Sequence, residues 1–146
     1  MNVNMQSVMK AAAIGAIVNG ILAVIGGGVG YALPAVGFIT ALFSCCGWLL
    51  IPVTVGALYG YFTPGKENIQ QAAIGGAISG AVSGIAYGII SAIMAIILLV
   101  VAGAEITDAL INGGGAGIGY CCAAVFAGLI LGAIGGAVWT AVQKDK

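Results

Sequence analysis

The chain has 146 residues, 62% hydrophobic and 5% charged, with a mean hydropathy of +1.19, where an ordinary soluble domain is about 25% charged. Four lysines balance two glutamates and two aspartates, with no arginine and no histidine; this excludes a basic face for nucleic acid and removes the usual general base, metal ligand and haem ligand. Four membrane-spanning helices of about 20 residues would use nearly the whole chain and leave no room for a soluble catalytic domain, so the expectation is a non-enzymatic, cofactor-free, all-α protein whose main partner is the lipid bilayer.

Apolar stretches run from about Ala11 to Leu33, Val36 to Phe62, Ala72 to Ala102 and Ile118 to Val142, each long enough at about 1.5 Å per residue to cross a core of about 30 Å. They predict four transmembrane helices in a single membrane domain over residues 1–146. The intervening Tyr31–Gly37, Thr63–Gln71 and Gly103–Gly117 hold Pro34, Pro64-Gly65 and a glycine run, and are read as loops. The third stretch is longer than a straight span needs and should tilt or emerge. Lys10, Lys66, Lys144 and Lys146 all fall on one side of a four-span chain. Positive charge is retained in the cytoplasm, so both termini and the middle loop are expected there, with Glu105 and Asp108 outside.

The two halves resemble each other. An offset of 60 sets Ala12-Ala13-Ile14-Gly15 on Ala72-Ala73-Ile74-Gly75, and an offset of 76 sets Cys45-Cys46 on Cys121-Cys122 and Gly56-Ala57 on Gly132-Ala133. The reading is a duplicated helical hairpin, repeat 1 over about 10–62 and repeat 2 over about 70–142, with 16 extra residues between Gly88 and Cys121. Because the first stretch has an internal counterpart, it is read as a span and not as a secretory leader.

Glycine recurs at four-residue spacing in span three (Gly76, Gly80, Gly84, Gly88), in span four (Ala124, Gly128, Gly132, Gly136) and more sparsely at Gly56, Gly60, Gly20 and Gly28. Residues at i and i+4 share a helical face, and small ones let backbones approach where apolar burial provides no drive in lipid. These stripes predict glycine-zipper packing within the bundle, with pairing between copies in a homo-oligomer or larger membrane complex as the alternative. Pro52 falls within span two and should shape or kink it. Gly26-Gly27-Gly28 and Gly113-Gly114-Gly115 lack the context of a phosphate loop and are read as helix ends.

No carboxylate, lysine or histidine lies inside a span, which weighs against proton or ion pumping. Asn19, Thr54 and Ser79 form a candidate polar path for a small channel or transporter; Ser44, Ser83 and Ser91 are further polar positions. Cys45, Cys46, Cys121 and Cys122 occur as vicinal pairs at duplicated positions. Three readings stand: inert buried thiols, disulfides between hairpins, or a thiolate metal centre. The first is favoured because adjacent helical residues diverge by about 100° and depart from Cys-x-x-Cys spacing; no metal or catalytic residue is assigned.

The run Pro52-Val-Thr-Val-Gly-Ala-Leu-Tyr-Gly-Tyr-Phe-Thr-Pro-Gly-Lys66, with Gln71-Ala-Ala-Ile-Gly-Gly-Ala-Ile-Ser-Gly80, resembles small uncharacterised glycine-rich four-span membrane proteins of archaea and bacteria. That resemblance implies a prokaryotic cell membrane and no particular reaction. The leading functional expectation is a structural, accessory or oligomeric scaffold subunit; the alternatives are a small channel or transporter, and a thiol redox or metal-binding protein.

Overall fold

The computed structural model describes residues 3–32, 37–63 and 68–144, and the side chains of all these except residues 27, 29–32, 37–46 and 144. Four helices follow in order: α1 Met5–Ala32, α2 Gly37–Phe62, α3 Ile69–Val101 and α4 Ile106–Lys144. Three of them contain segments long and apolar enough to cross a membrane, Met5–Gly26, Ile69–Val101 and Ile106–Gln143, and the described part of α2 adds a shorter apolar helix, Gly47–Phe62.

The helix ends correct the sequence boundaries, and each correction has a local cause. α1 starts well before the apolar stretch because Asn4 caps it: its Oδ1 accepts from the N–H of Gln6 at 3.1 Å and of Ser7 at 3.3 Å, satisfying donors that a helix start leaves orphaned. The expected outer loop Gly103–Gly117 is instead a turn of four residues, 102–105. Gly103 takes φ +89 and donates to Val100 O at 3.0 Å, while Ala104 N–H donates to Leu99 O at 3.0 Å. This pair of bonds is a Schellman stop, and its left-handed residue is the glycine. The run Gly113-Gly114-Gly115 therefore lies inside α4, and Gly26-Gly27-Gly28 inside α1. Glycine costs about 1 kcal/mol in a helix interior, and at Gly113 and Gly117 close packing against α3 offsets it. A methyl group built on Gly113 would lie 2.9 Å from Ile96 Cγ1, and one on Gly117 would strike Ala92.

α3 and α4 form a long antiparallel pair whose backbones nearly touch. Ala72 faces Gly136, Gly76 faces Gly132, Gly80 faces Gly128 and Gly84 faces Ala124; then Gly88 faces Cys121, Ala92 faces Gly117 and Ile96 faces Gly113. α3 advances in steps of four throughout, whereas α4 takes one step of three between Ala124 and Cys121. A strict four-residue stripe drifts around a helix of 3.6 residues per turn, and that shorter step keeps the two faces in contact. A methyl on Gly84 would lie 2.6 Å from the Ala124 carbonyl oxygen. α3 and α4 thus form one long continuous hairpin.

α2 packs on α4, with Gly56 against the Gly132 backbone, Gly135 against Val53 and Gly60 against the Trp139 side chain. α1 packs on α2 and α3, and no contact between α1 and α4 occurs among the described residues. Gly20 departs from the expected backbone-packing role: its missing Cβ would meet only the tip of Ile90, 3.1 Å away, and nothing lies within 4 Å of that position on Gly28. Close approach on α1 belongs instead to Gly15, against Val55 and Ser83.

A compact cluster of Val8, Ala11, Ile51, Val55 and Tyr59 fills one end of the bundle. At that end Ser7 Oγ donates to Phe62 O at 2.9 Å, so the start of α1 is tied to the end of α2. Outward faces carry Ile85, Ile89, Ile93 and Ile97 on α3 and Phe126, Ile130, Ile134 and Val138 on α4, all exposed. An apolar surface this extensive is stable in lipid and a liability in water.

Candidate functional site

The buried face of α1 reads Val8, Ala12, Gly15 and Asn19 and continues through half-buried Ala23 and Gly26, the three-and-four spacing of one helical stripe. The same periodicity that buries Val8 therefore carries the amide of Asn19 into the bundle, where the residue is 7% exposed. On α3 a second stripe runs beside the glycines: Ser79, Ser83, Tyr87 and Ser91. On α2, Trp48 and Ile51 complete the wall. Together α1, α2 and α3 line a half-open cavity of about 220 Å³, bordered by Asn19, Trp48, Tyr87 and Ser91 and by apolar residues including Leu22, Met94 and Leu98. It extends from Asn19 toward the end of the bundle that carries the α3–α4 turn.

The candidate path of Asn19, Thr54 and Ser79 does not form one surface. Asn19 lines the cavity, but Thr54 is exposed and its hydroxyl donates to Ile51 O at 2.8 Å. Ser79 is fully buried and donates to Gly75 O at 2.8 Å; Ser83 donates to Gly80 O at 2.9 Å. Hydroxyls that return to their own helix are satisfied and silent. Asn112 closes in the same way, its Nδ2 donating to Asp108 O at 3.0 Å, whereas the Asn19 amide makes no hydrogen bond among the described residues. Its polar atoms are not fully enclosed, since among the described residues only Trp139 Nε1 is both buried and unpaired, and they stay open to a partner.

Pro52 is buried and lies beside the same site, within an unbroken α2. Having no N–H, it cannot donate to the Trp48 carbonyl four residues back. A small void of about 10 Å³ sits there among Asn19, Trp48, Pro52, Ser83 and Tyr87, close to the least space that holds one water molecule.

The described thiols do not converge. Cys121 is half-buried against Gly88, Cys122 is exposed, and both are free. The side chains of Cys45 and Cys46 lie outside the described residues, as do Ser44 and Lys66. No group of three potential metal ligands occurs among the described residues. Glu105 and Asp108 are exposed at the α3–α4 turn, and Asp108 sits in the first turn of α4, where the helix dipole favours a negative charge.

Trp48 and Tyr87 are the lining residues that sequence reasoning missed. Tyr87 had a signal, since it continues the Ser79, Ser83, Ser91 spacing, whereas Trp48 sits in an apolar run with nothing to mark it. Neither a curated protein nor a solved structure gives a significant match to the chain. A family model does, over residues 9–146, and with three helices able to cross a bilayer this integral membrane protein belongs to the MJ1491 transmembrane domain family.

Proposed function

We propose that the protein is a non-enzymatic structural subunit of the membrane, a four-span bundle of two duplicated, glycine-zippered hairpins that serves as an accessory or oligomeric scaffold. The observation that carries this reading is the α3–α4 pair, where glycine and alanine bring the backbones together over almost the whole hairpin. Such a contact has no slack and suits a rigid support better than a hinge. Duplication is supported by the meeting of Gly56 with Gly132, positions that correspond under the offset of 76. Counterpart residues meet in this way beside a two-fold pseudo-axis, here along the membrane normal. The scaffold role is tested by native mass spectrometry of the protein extracted from its own membrane in mild detergent. A defined complex of copies, or of this chain with stoichiometric partners, is expected; a lone monomer at every detergent concentration would overturn it.

The termini and the 63–68 connection are assigned to the cytoplasm. The N-terminal end of α1, the end of α2 and the end of α4 lie together, and Tyr61 packs edge-on against Phe62 at 5.5 Å and Trp139 at 6.0 Å. Aromatic groups of this kind favour the membrane interface, and Lys10 is exposed near the start of α1. Single cysteines at Lys66 and at Asp108, in a protein lacking its native thiols, check the assignment. An impermeant thiol reagent on intact cells should label the Asp108 site and spare the Lys66 site, and the opposite pattern reverses the topology.

A further inference from the structure

Among the described residues, Ser7, Thr54, Ser79, Ser83 and Thr140 each donate to a backbone carbonyl at 2.8–3.0 Å. Around the cavity between α1, α2 and α3 this pattern stops: Ser91, Tyr87, Trp48 and Asn19 make no hydrogen bond among the described residues. The only fully enclosed side-chain polar atom without a partner among the described residues is Trp139 Nε1, so the polar atoms of Asn19 keep some free surface. Asn19, only 7% exposed, lines both this cavity and the small void beside Pro52.

We propose that this cavity is a binding site for a small neutral solute bearing a hydroxyl or carbonyl group. The inference is independent of the scaffold reading. The donor and acceptor set is mixed: an amide that does both, two hydroxyls that do both, and an indole that only donates. A neutral carbonyl or hydroxyl answers all four groups. Among the described residues no Asp, Glu, Lys or Arg lines the site, so an ion would enter without a counter-charge and bear the full desolvation cost. Leu22, Met94 and the rest of the apolar wall accept a hydrocarbon body. At about 220 Å³ the space exceeds the roughly 150 Å³ that accepts benzene in an engineered core and falls below the about 300 Å³ at which drug-sized pockets begin. The occupant is therefore a molecule of about the size of a substituted benzene.

Trp48 in the wall is a built-in reporter. The chain has 2 tryptophans, so Trp139→Phe leaves Trp48 as the one indole of the full-length protein in mild detergent. That protein is titrated with trichloroethanol, a neutral quencher of indole fluorescence that carries a hydroxyl, and with methylchloroform, which has the same halogenated carbon without the hydroxyl. Trp48→Phe, where Trp139 alone reports, corrects for partition into detergent. After that correction, quenching of Trp48 should saturate, with the alcohol about threefold to tenfold more potent, the gain of one neutral hydrogen bond. Asn19→Leu should erase the preference. Should that variant fail to fold, Tyr87→Phe and Ser91→Ala remove single hydroxyls with little change of shape and should each reduce it. Unsaturable quenching of equal strength by the two probes, or a preference that survives every one of these variants that folds, would overturn the proposal.

Discussion

Replacing Gly80 with leucine is expected to leave almost no folded protein in a detergent stability assay, whereas Ile89→Leu should behave like the parent. Gly80 faces backbone: a methyl group built on it would lie 2.8 Å from the Gly128 carbonyl carbon and 3.3 Å from Gly128 Cα. A side chain in the way can rotate, but a helical carbonyl cannot. Overpacking a core with extra methylenes costs about 1–3 kcal/mol even where side chains yield, and separating the helices here would also release the contacts above and below, at Gly76 and Gly84. The expected loss for Gly80→Leu and for Gly84→Leu is therefore beyond about 3 kcal/mol. Ile89 is 54% exposed and exchanges one branched alkyl surface for another. Circular dichroism during titration with a denaturing detergent reads the difference; equal midpoints for Gly80→Leu and Ile89→Leu would show that the small stripe bears no load.

That stripe was legible because its period is simple. Glycine at every fourth position has no role on a lipid face, so the face it marks must meet another backbone. The partner residues were less legible. Gly117 and Gly113 oppose Ala92 and Ile96, but in the sequence they stand among other glycines and close to two acids, a combination that normally signals a loop. One glycine, Gly103, makes the turn, and α3 reaches far enough to cover Gly113 and Gly117. Local composition is the same for both kinds of glycine; tertiary contact separates them. Gly20 failed in the opposite sense, since its spacing resembles a packing stripe while α3 presents only the end of a flexible isoleucine there.

The site was legible by half. Asn19 stands out as an amide in an apolar stretch, and its burial follows from the same stripe as Val8. Thr54 and Ser79 look alike in sequence, because either hydroxyl can close on a preceding carbonyl, and only the helix neighbours decide that Thr54 is exposed and Ser79 enclosed. Trp48 and Tyr87 were hidden by their bulk. In an apolar run an aromatic ring reads as filler, and the donor it carries becomes informative only when a cavity is seen beside it.

Tyr59→Ala is the second substitution expected to damage the protein severely. The residue is fully buried between Val8, Ala11, Ile51 and Val55, its hydroxyl receives the Asn4 N–H at 3.4 Å, and its ring fills the space above Gly75 on α3. One side chain thus joins the start of α1, the end of α2 and the start of α3. Truncating a buried aromatic costs about 3–5 kcal/mol, while Tyr59→Phe keeps the ring and should lose about 0.5–1.5 kcal/mol with the hydroxyl. If both variants lost the same amount, the hydroxyl and not the ring would carry the junction. Gly75 supplies an independent check. A methyl there would overlap the ring and lie within contact of its hydroxyl oxygen, so Gly75→Ala should destabilise the parent protein. In the Tyr59→Ala background the ring is gone and the same methyl enters the vacated space. The double variant should therefore be more stable than the sum of the two single losses requires, with a coupling of about 0.5–3 kcal/mol, and strict additivity would mean that ring and glycine do not share this space.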